Sequence, residues 1–288
     1  MKKIFIYAAI AALVIPFVSC NNKIDYGGNG PVAKIEKAKN TENAKKITIK
    51  EGTAKDKGLK EIEFTDGGRY IVTRLKTKAD NDTEVLTGTY TLENLVYILQ
   101  NFGSVSFDAS GNVTIKLDGG ETVTATYQEE NKNPESDFIN SIAHTWKIDK
   151  VDISIVADGK NIGFVKDGCD LEQIGKEIIN QAKSLGANVN VNVDKLKGYN
   201  VKSLTFTSSN TFIVEFTGAD PFKANVSGIN INSYKFTYAL EVGYDNEILN
   251  AEAECEFAPQ TEKTAWLTVK VNSDEFTGRV IFMMTVID

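Results

Sequence analysis

One histidine, three cysteines and 39 acidic residues are the groups from which this chain could build a reactive site. His144 alone cannot make a histidine-pair metal site. It falls just before a strand pattern, where an exposed residue is the expectation. Serine nucleophiles need a base beside them, and no Gly-x-Ser-x-Gly elbow is present to place one. Cys169 or Cys255 would need His144 or another activator nearby, and nothing in the sequence puts one there. Asp80-Asn81-Asp82-Thr83-Glu84 offers oxygens suited to calcium, yet it lacks the central glycine and distant glutamate of an EF-hand. As a polar hairpin loop it needs no metal. Glycosidase-type carboxylate pairs are selected by no local motif, and the glycines read as turns and tether rather than phosphate loops. The expectation is a protein that is not an enzyme, with no cofactor and no metal.

The remaining cysteine, Cys20, has a different setting. Met1-Lys2-Lys3 is followed by an apolar run from Ile4 to Val18, then Ser19-Cys20. The run is about 15 residues, against the roughly 20 that a spanning helix needs. Pro16 would also interrupt such a helix. The run reads as a secretory signal. Phe17-Val18-Ser19-Cys20 resembles the lipobox of bacterial lipoproteins. That resemblance implies cleavage before Cys20, acylation of its thiol and amine, and retention on a membrane. A plain secretory signal with an incidental cysteine is the alternative. Several acyl chains would make the anchor effectively permanent. Bacteroidota surface lipoproteins often carry acids just after this cysteine, whereas here Asn21-Asn22-Lys23 follow and the first acid is Asp25. The resemblance thus implies a lipid-anchored outer-membrane protein, with a periplasm-facing position favoured over the cell surface.

Charge agrees with an anchored body. Loss of residues 1–19 leaves 269 residues and takes the net charge from −7 to −9. Residues 21–57 hold nine lysines against five acids, so the rest of the body stands at −13. An acidic body argues against a nucleic-acid partner. The basic stretch could touch anionic headgroups or serve as a solvated linker.

The elements that would position any site are mostly strands. Residues 1–19 read as a signal peptide and 20–46 as a lipidated N-terminus and flexible tether, with Gly27-Gly28-Asn29-Gly30-Pro31 resisting regular structure. Residues 47–130 form a first β domain, 131–143 a linker, and 144–288 a second β domain. Lys60–Phe64 and Arg69–Thr73 alternate around Asp66-Gly67-Gly68. Thr87–Leu92, Val105–Phe107, Val113–Leu117 and Thr122–Tyr127 continue the pattern, which suits an antiparallel barrel or sandwich. Leu92–Phe102 fits either helix or strand. A short helix is expected through Phe138, Ile139 and Ile142. The second domain has one clear helix: Asp170 and Gln173 suit a capping box, Leu171, Ile174, Ile178, Ala182 and Leu185 form a stripe, and Gly186 suits the C′ position. Strands are expected to resume at Val189–Val193. Cys169 and Cys255 could pair in an oxidising envelope or serve as small buried residues.

An internal repeat links the halves. Phe64–Val72 aligns without gaps on Phe206–Val214, and Thr89-Tyr90-Thr91-Leu92 matches Thr237-Tyr238-Ala239-Leu240, at offsets of 142 and 148. Thr145-Trp146-Lys147, the Phe-Thr hairpins and Gly88-Thr89-Tyr90-Thr91-Leu92 resemble the lipocalin-like domains of Bacteroidota envelope lipoproteins. The resemblance implies two related antiparallel lipocalin-like barrels or sandwiches, the fold being mainly β, with Trp146 closing a barrel base. It also implies a family without an assigned activity. Tyr234, Phe236 and Tyr238 form one aromatic strand face, and Phe212, Val214 and Phe216 another. Such faces either line a small-ligand cavity or fill the core, and filling is the stronger expectation for bulky aromatics. Three functions follow. The first is a non-catalytic, membrane-anchored binder of a small apolar ligand, through Phe212, Tyr234, Phe236 and Tyr238, or of a partner envelope protein. The second is a structural or assembly-associated surface protein. The third is a hydrolase with dispersed carboxylates.

Overall fold

A computed structural model describes residues 33–76, 82–157, 159–186, 193–225, 234–244, 247–272 and 276–288, with the backbone alone at 157, 195, 236–244, 247–253 and 276. Cys20, the signal and residues 21–32 of the expected tether lie outside the described residues, as do Asp80 and Asn81 of Asp80–Glu84.

The first domain is a closed barrel. Strands β1 (Lys45–Glu51), β2 (Leu59–Phe64), β3 (Arg69–Leu75), β4 (Thr83–Glu93), β5 (Val96–Leu99), β6 (Gly103–Phe107), β7 (Asn112–Leu117) and β8 (Thr122–Glu129) pair in chain order. β1 closes on β8 through Ile47 opposite Glu129 and Thr48 opposite Gln128. Every ladder is antiparallel, and closure leaves no edge to aggregate. A one-turn helix, α1 (Thr53–Asp56), bridges β1 and β2. The ambiguous stretch is strand. β4 and β5 join through Asn94 and Leu95, whose φ values are +50° and +65°. This two-residue turn breaks the strand alternation and produces the helix-like spacing of Leu92, Val96 and Leu99.

The second domain is a curled sheet ordered β13-β12-β11-β9-β17-β16-β15-β14, with β10 beside β9. Its strands are β9 (Thr145–Ala157), β10 (Lys160–Asp167), β11 (Val201–Phe206), β12 (Thr211–Phe216), β13 (Phe222–Asn225), β14 (Lys235–Tyr244), β15 (Glu247–Pro259), β16 (Thr264–Asn272) and β17 (Phe276–Val286). β17 runs along β9 from Phe276–Ala157 to Val286–Trp146, closing first strand on last as in the barrel. Among the described residues the sheet is open between β13 and β14, which are consecutive in the chain.

β10 and the helix α3 (Leu171–Ser184) are inserted between β9 and β11. Asp170 caps α3 by accepting from the Gln173 amide, and the Gln173 side chain returns to the Asp170 carboxylate. That differs from the reciprocal capping box, in which the return bond goes to the cap's backbone. Gly186 takes the expected left-handed conformation. Leu171, Ile174, Ile178 and Ala182 join the core, while Leu185 is partly exposed. Val193–Leu196 is a 3-10 turn rather than strand, and 187–192 lie outside the described residues.

Two boundaries need correcting. Residues 34–44 are not free tether: Ile35, only 1% exposed, sits in the core of the second domain. An apolar side chain with a pocket to fill overrides the polar composition around it. Nor is 131–143 a bare linker. Helix α2 (Asp137–Ile142), capped by Ser136, buries Phe138, Ile139 and Ile142 in that same core. The chain therefore contributes to the second domain before it builds the first.

Candidate functional site

The barrel interior is filled. Phe64 lies 3.9 Å from Tyr97 and 5.3 Å from Tyr90, ring centre to ring centre, and Phe107 stands edge-on to Phe64 and Tyr97. The phenols are used inward: Tyr90 donates to the Thr65 carbonyl, Tyr97 to the Asn43 carbonyl and Tyr70 to the Gln100 carbonyl. Burial pushes Tyr97 up to about 12 and Tyr90 higher, so both are neutral donors at ordinary pH. Gly88 faces Tyr70 across the ladder, and a Cβ there would come within 2.5 Å of the Tyr70 ring. The glycine of Gly88-Thr89-Tyr90-Thr91-Leu92 thus makes room for an aromatic neighbour.

In the second domain Phe212 is buried in the core, 4.7 Å from Phe206. Val214 and Phe216 pack against that core from the same face, as their alternation predicts. Tyr234 is partly buried against Phe138 and Phe257. The side chains of Phe236 and Tyr238 lie outside the described residues. Trp146 is fully buried, donates to the Ile142 carbonyl at 3.1 Å and packs edge-on against Phe257.

No local pattern in the sequence marks the polar junction between the domains. The β2–β3 and β11–β12 hairpins have matching registers, Phe64 opposite Tyr70 and Phe206 opposite Phe212. Both loops close alike: Thr65 accepts from the Arg69 amide and Thr207 from the Thr211 amide through their hydroxyls. Gly68 and Asn210 hold φ of +75° and +62°. The loops meet each other, with the Ser208 amide donating to Asp66 at 2.8 Å across a separation of 142 residues, the offset of the repeat.

Around this contact lie charges facing outward from the barrel. Arg69 pairs with Glu215 at 2.6 Å. Thr87 and Ser203 donate to the same carboxylate, each at 2.6 Å. Burial alone would raise Glu215, but Ser203, Thr87 and Arg69 outweigh it and hold the carboxyl below its ordinary value. Lys46 reaches Glu61 at 3.5 Å and Asn225 at 3.0 Å, and Lys223 pairs with Glu61 and donates to Thr73. Ile71 and Ile213, on the outer faces of β3 and β12, are buried without belonging to either core. Beside the junction, a cleft of about 440 Å³ opens between β4 and the β12–β13 loop, lined by Tyr70, Glu84, Val85, Leu86, Thr87 and Asp220 among others.

His144 is buried rather than exposed. Its Nδ1 lies 2.9 Å from an Asp288 carboxylate oxygen and its Nε2 2.9 Å from the Glu36 carbonyl. Two acceptors on two ring nitrogens call for an imidazolium, with both nitrogens donating. Burial disfavours the charge, yet Asp288 and the Glu36 carbonyl prevail and hold His144 above its ordinary value. Cys169 and Cys255 are both buried thiols rather than a disulfide. Burial pushes Cys169 up to about 12, which removes the thiolate a nucleophile needs.

No protein-family description matches the chain. No curated protein matches it either. Among solved structures, the isotype 1 transferrin binding protein B of serogroup B Neisseria meningitidis aligns at 10% identity with a TM-score of 0.28, over 80% of this chain and 52% of that one. The transferrin binding protein B variant of Haemophilus parasuis Hp5 gives 10% identity and a TM-score of 0.28, over 80% and 54%. A DUF3598 family protein of unknown function from Nostoc punctiforme PCC 73102 gives 9% and 0.22, over 85% and 94%. The chain spans about half the length of the two transferrin binding proteins. Likenesses at these TM-scores carry no argument about function, and the assignment as a mainly β protein with a closed barrel and a curled second sheet rests on strand order and register.

Proposed function

We propose that this chain is a non-catalytic, lipid-anchored envelope protein that binds its ligand or partner on its outer surface rather than in a barrel lumen. The filled first barrel carries the reading. Phe64, Tyr90, Tyr97 and Phe107 occupy the space that a calyx would leave open, and two of the phenols are committed to backbone carbonyls. Phe212 likewise serves the core of the second domain. The groups with chemical potential point the same way. His144 is locked between two acceptors and Cys169 is held as a thiol. The cleft between β4 and the β12–β13 loop offers a concavity for contact, and ligand sites favour domain junctions.

The anchor is Cys20, at the outer membrane, with the periplasm-facing side favoured by Asn21-Asn22-Lys23. From Cys20 to Lys34 the chain can extend roughly 50 Å, so the body stands off the lipid by no more than that. Native mass spectrometry of the chain extracted from its own envelope in detergent tests the binding role. A retained small molecule or partner protein is expected. Repeated recovery of bare protein would overturn the reading and favour a structural role instead.

A further inference from the structure

We propose that Glu63 is a proton latch between the two domains: when neutral it lets the β2–β3 and β11–β12 hairpins close on each other, and its ionisation loosens them. Glu63 lies between Ile62 and Phe64, which point into the barrel, so its side chain points out toward the second domain. It is completely buried there. Oε1 accepts from the Thr207 hydroxyl at 2.6 Å, and Oε2 has no hydrogen-bond partner among the described residues. In the adjoining loop Asp66 repeats the situation. Its Oδ2 accepts the Ser208 amide, while Oδ1 lacks a partner among the described residues.

The charges that face this spot are engaged elsewhere. Lys46 on β1 pairs with Glu61, and Lys223 on β13 pairs with Glu61 too. Arg69 on β3 pairs with Glu215 on β12. Lys132 acts on Asp66 only from a distance. His144 is matched with Asp288. Among the described residues no cation lies within ion-pair distance of Glu63. A buried carboxylate held by threonine hydroxyls, with no ionic partner and one oxygen left without a hydrogen bond, is less favourable than the neutral acid.

Burial pushes both Glu63 and Asp66 above their ordinary values, against the opposing hydrogen bonds and lysines. The closed state therefore holds protons more firmly than the open state. Closure is strongest at and below the ordinary carboxylate range and weakens as pH rises through the closed-state values. Glu215 runs the other way, its contribution being lost as pH falls through its lowered value. The Lys223 pair with Glu61, the Arg69 pair with Glu215 and the Lys46 hydrogen bond to Asn225 keep the domains associated while the latch is open.

The test is hydrogen exchange on the full chain in detergent, between about pH 5 and pH 8. It reads protection of the Ser208 and Thr211 amides at the junction and of Ile115 in the barrel core. In the wild type, junction protection should fall about tenfold or more over this range, one pKa unit being worth a factor of ten. Ile115 should not change. Glu63→Gln, which is neutral at every pH, should make that fall clearly shallower, and Glu63→Gln with Asp66→Asn should hold junction protection within about twofold. A flat wild-type profile, or a Glu63→Gln profile as steep as the wild type, would overturn the proposal. So would a flat profile in Asp66→Asn with Glu63 intact. If Glu63→Gln fails to fold, the wild-type carboxyl carbon resonance of Glu63 decides. A raised midpoint that coincides with the loss of protection supports the latch, and an ordinary carboxylate midpoint contradicts it.

Discussion

His144 shows how much a single side chain can hide. In the sequence it sits at the edge of a linker and reads as exposed, because its two partners, Glu36 and Asp288, are each more than 100 residues away. Burial of such a residue depends on closure of the whole fold, which local pattern does not encode. The pair has a pH signature. The folded value of His144 is raised, so its stabilisation is complete below about 6.5, the ordinary histidine value, and is lost as pH rises through the folded value. His144→Gln should lower the thermal midpoint at pH 6 and lower it much less at pH 9, as scanning calorimetry would show. An equal loss at both pH values would mean that the ring acts by packing alone. Cys255 was legible as buried from the alternation of Ala251, Ala253, Cys255 and Phe257, and it is buried. Cys169, just before a helix, carried no such pattern.

At the scale of elements, alternation was a reliable guide wherever one face of a strand meets a core. β2, β3, β7 and β8 appear where the sequence places them, and the helix stripe from Leu171 to Ala182 lies inward. The signal failed where something other than core burial shaped the pattern. The Asn94-Leu95 turn imitated helical spacing, and it leaves Leu95 81% exposed in a left-handed conformation. Leu95→Gly should therefore be neutral to stabilising by about 1 kcal/mol in denaturant titration, since a leucine is strained at positive φ and this one buries little. Gly88 is the converse case. Gly88→Ala should cost about 1–3 kcal/mol, because the Tyr70 ring fills the space a Cβ would take. The N-terminal segment gives the sharpest element-scale expectation. Ile35→Ala should destabilise the second domain by about 2–5 kcal/mol, although that domain's first strand starts more than 100 residues later. Exchange protection lost in β9 and β17, with the barrel unaffected, is the pattern that checks it.

At the scale of the whole molecule, the repeat is visible in both sequence and structure, as hairpins of the same register. What they do was not visible. Residues facing away from a barrel look like solvent-exposed polar positions, so Glu61, Glu63 and Arg69 read as surface until the second domain covers them. Their burial makes the docked arrangement sensitive to single changes. Arg69→Ala should weaken docking by about 3–5 kcal/mol by stranding Glu215, while Arg69→Met with Glu215→Leu should restore much of the loss. A double-mutant cycle of unfolding free energies reads this directly, and additive losses would show the pair to be uncoupled.

The body is proposed to act where Cys20 holds it, so the mass of the chain recovered from the envelope is the most direct test. Intact mass spectrometry after detergent extraction should find a polypeptide starting at Cys20, with a diacylglyceryl group on its thiol and an acyl chain on its amine. Cys20→Ser should yield no acylated species. A wild-type chain that still begins at Met1, or that carries an unmodified Cys20, would contradict the proposal of a lipid-anchored envelope protein.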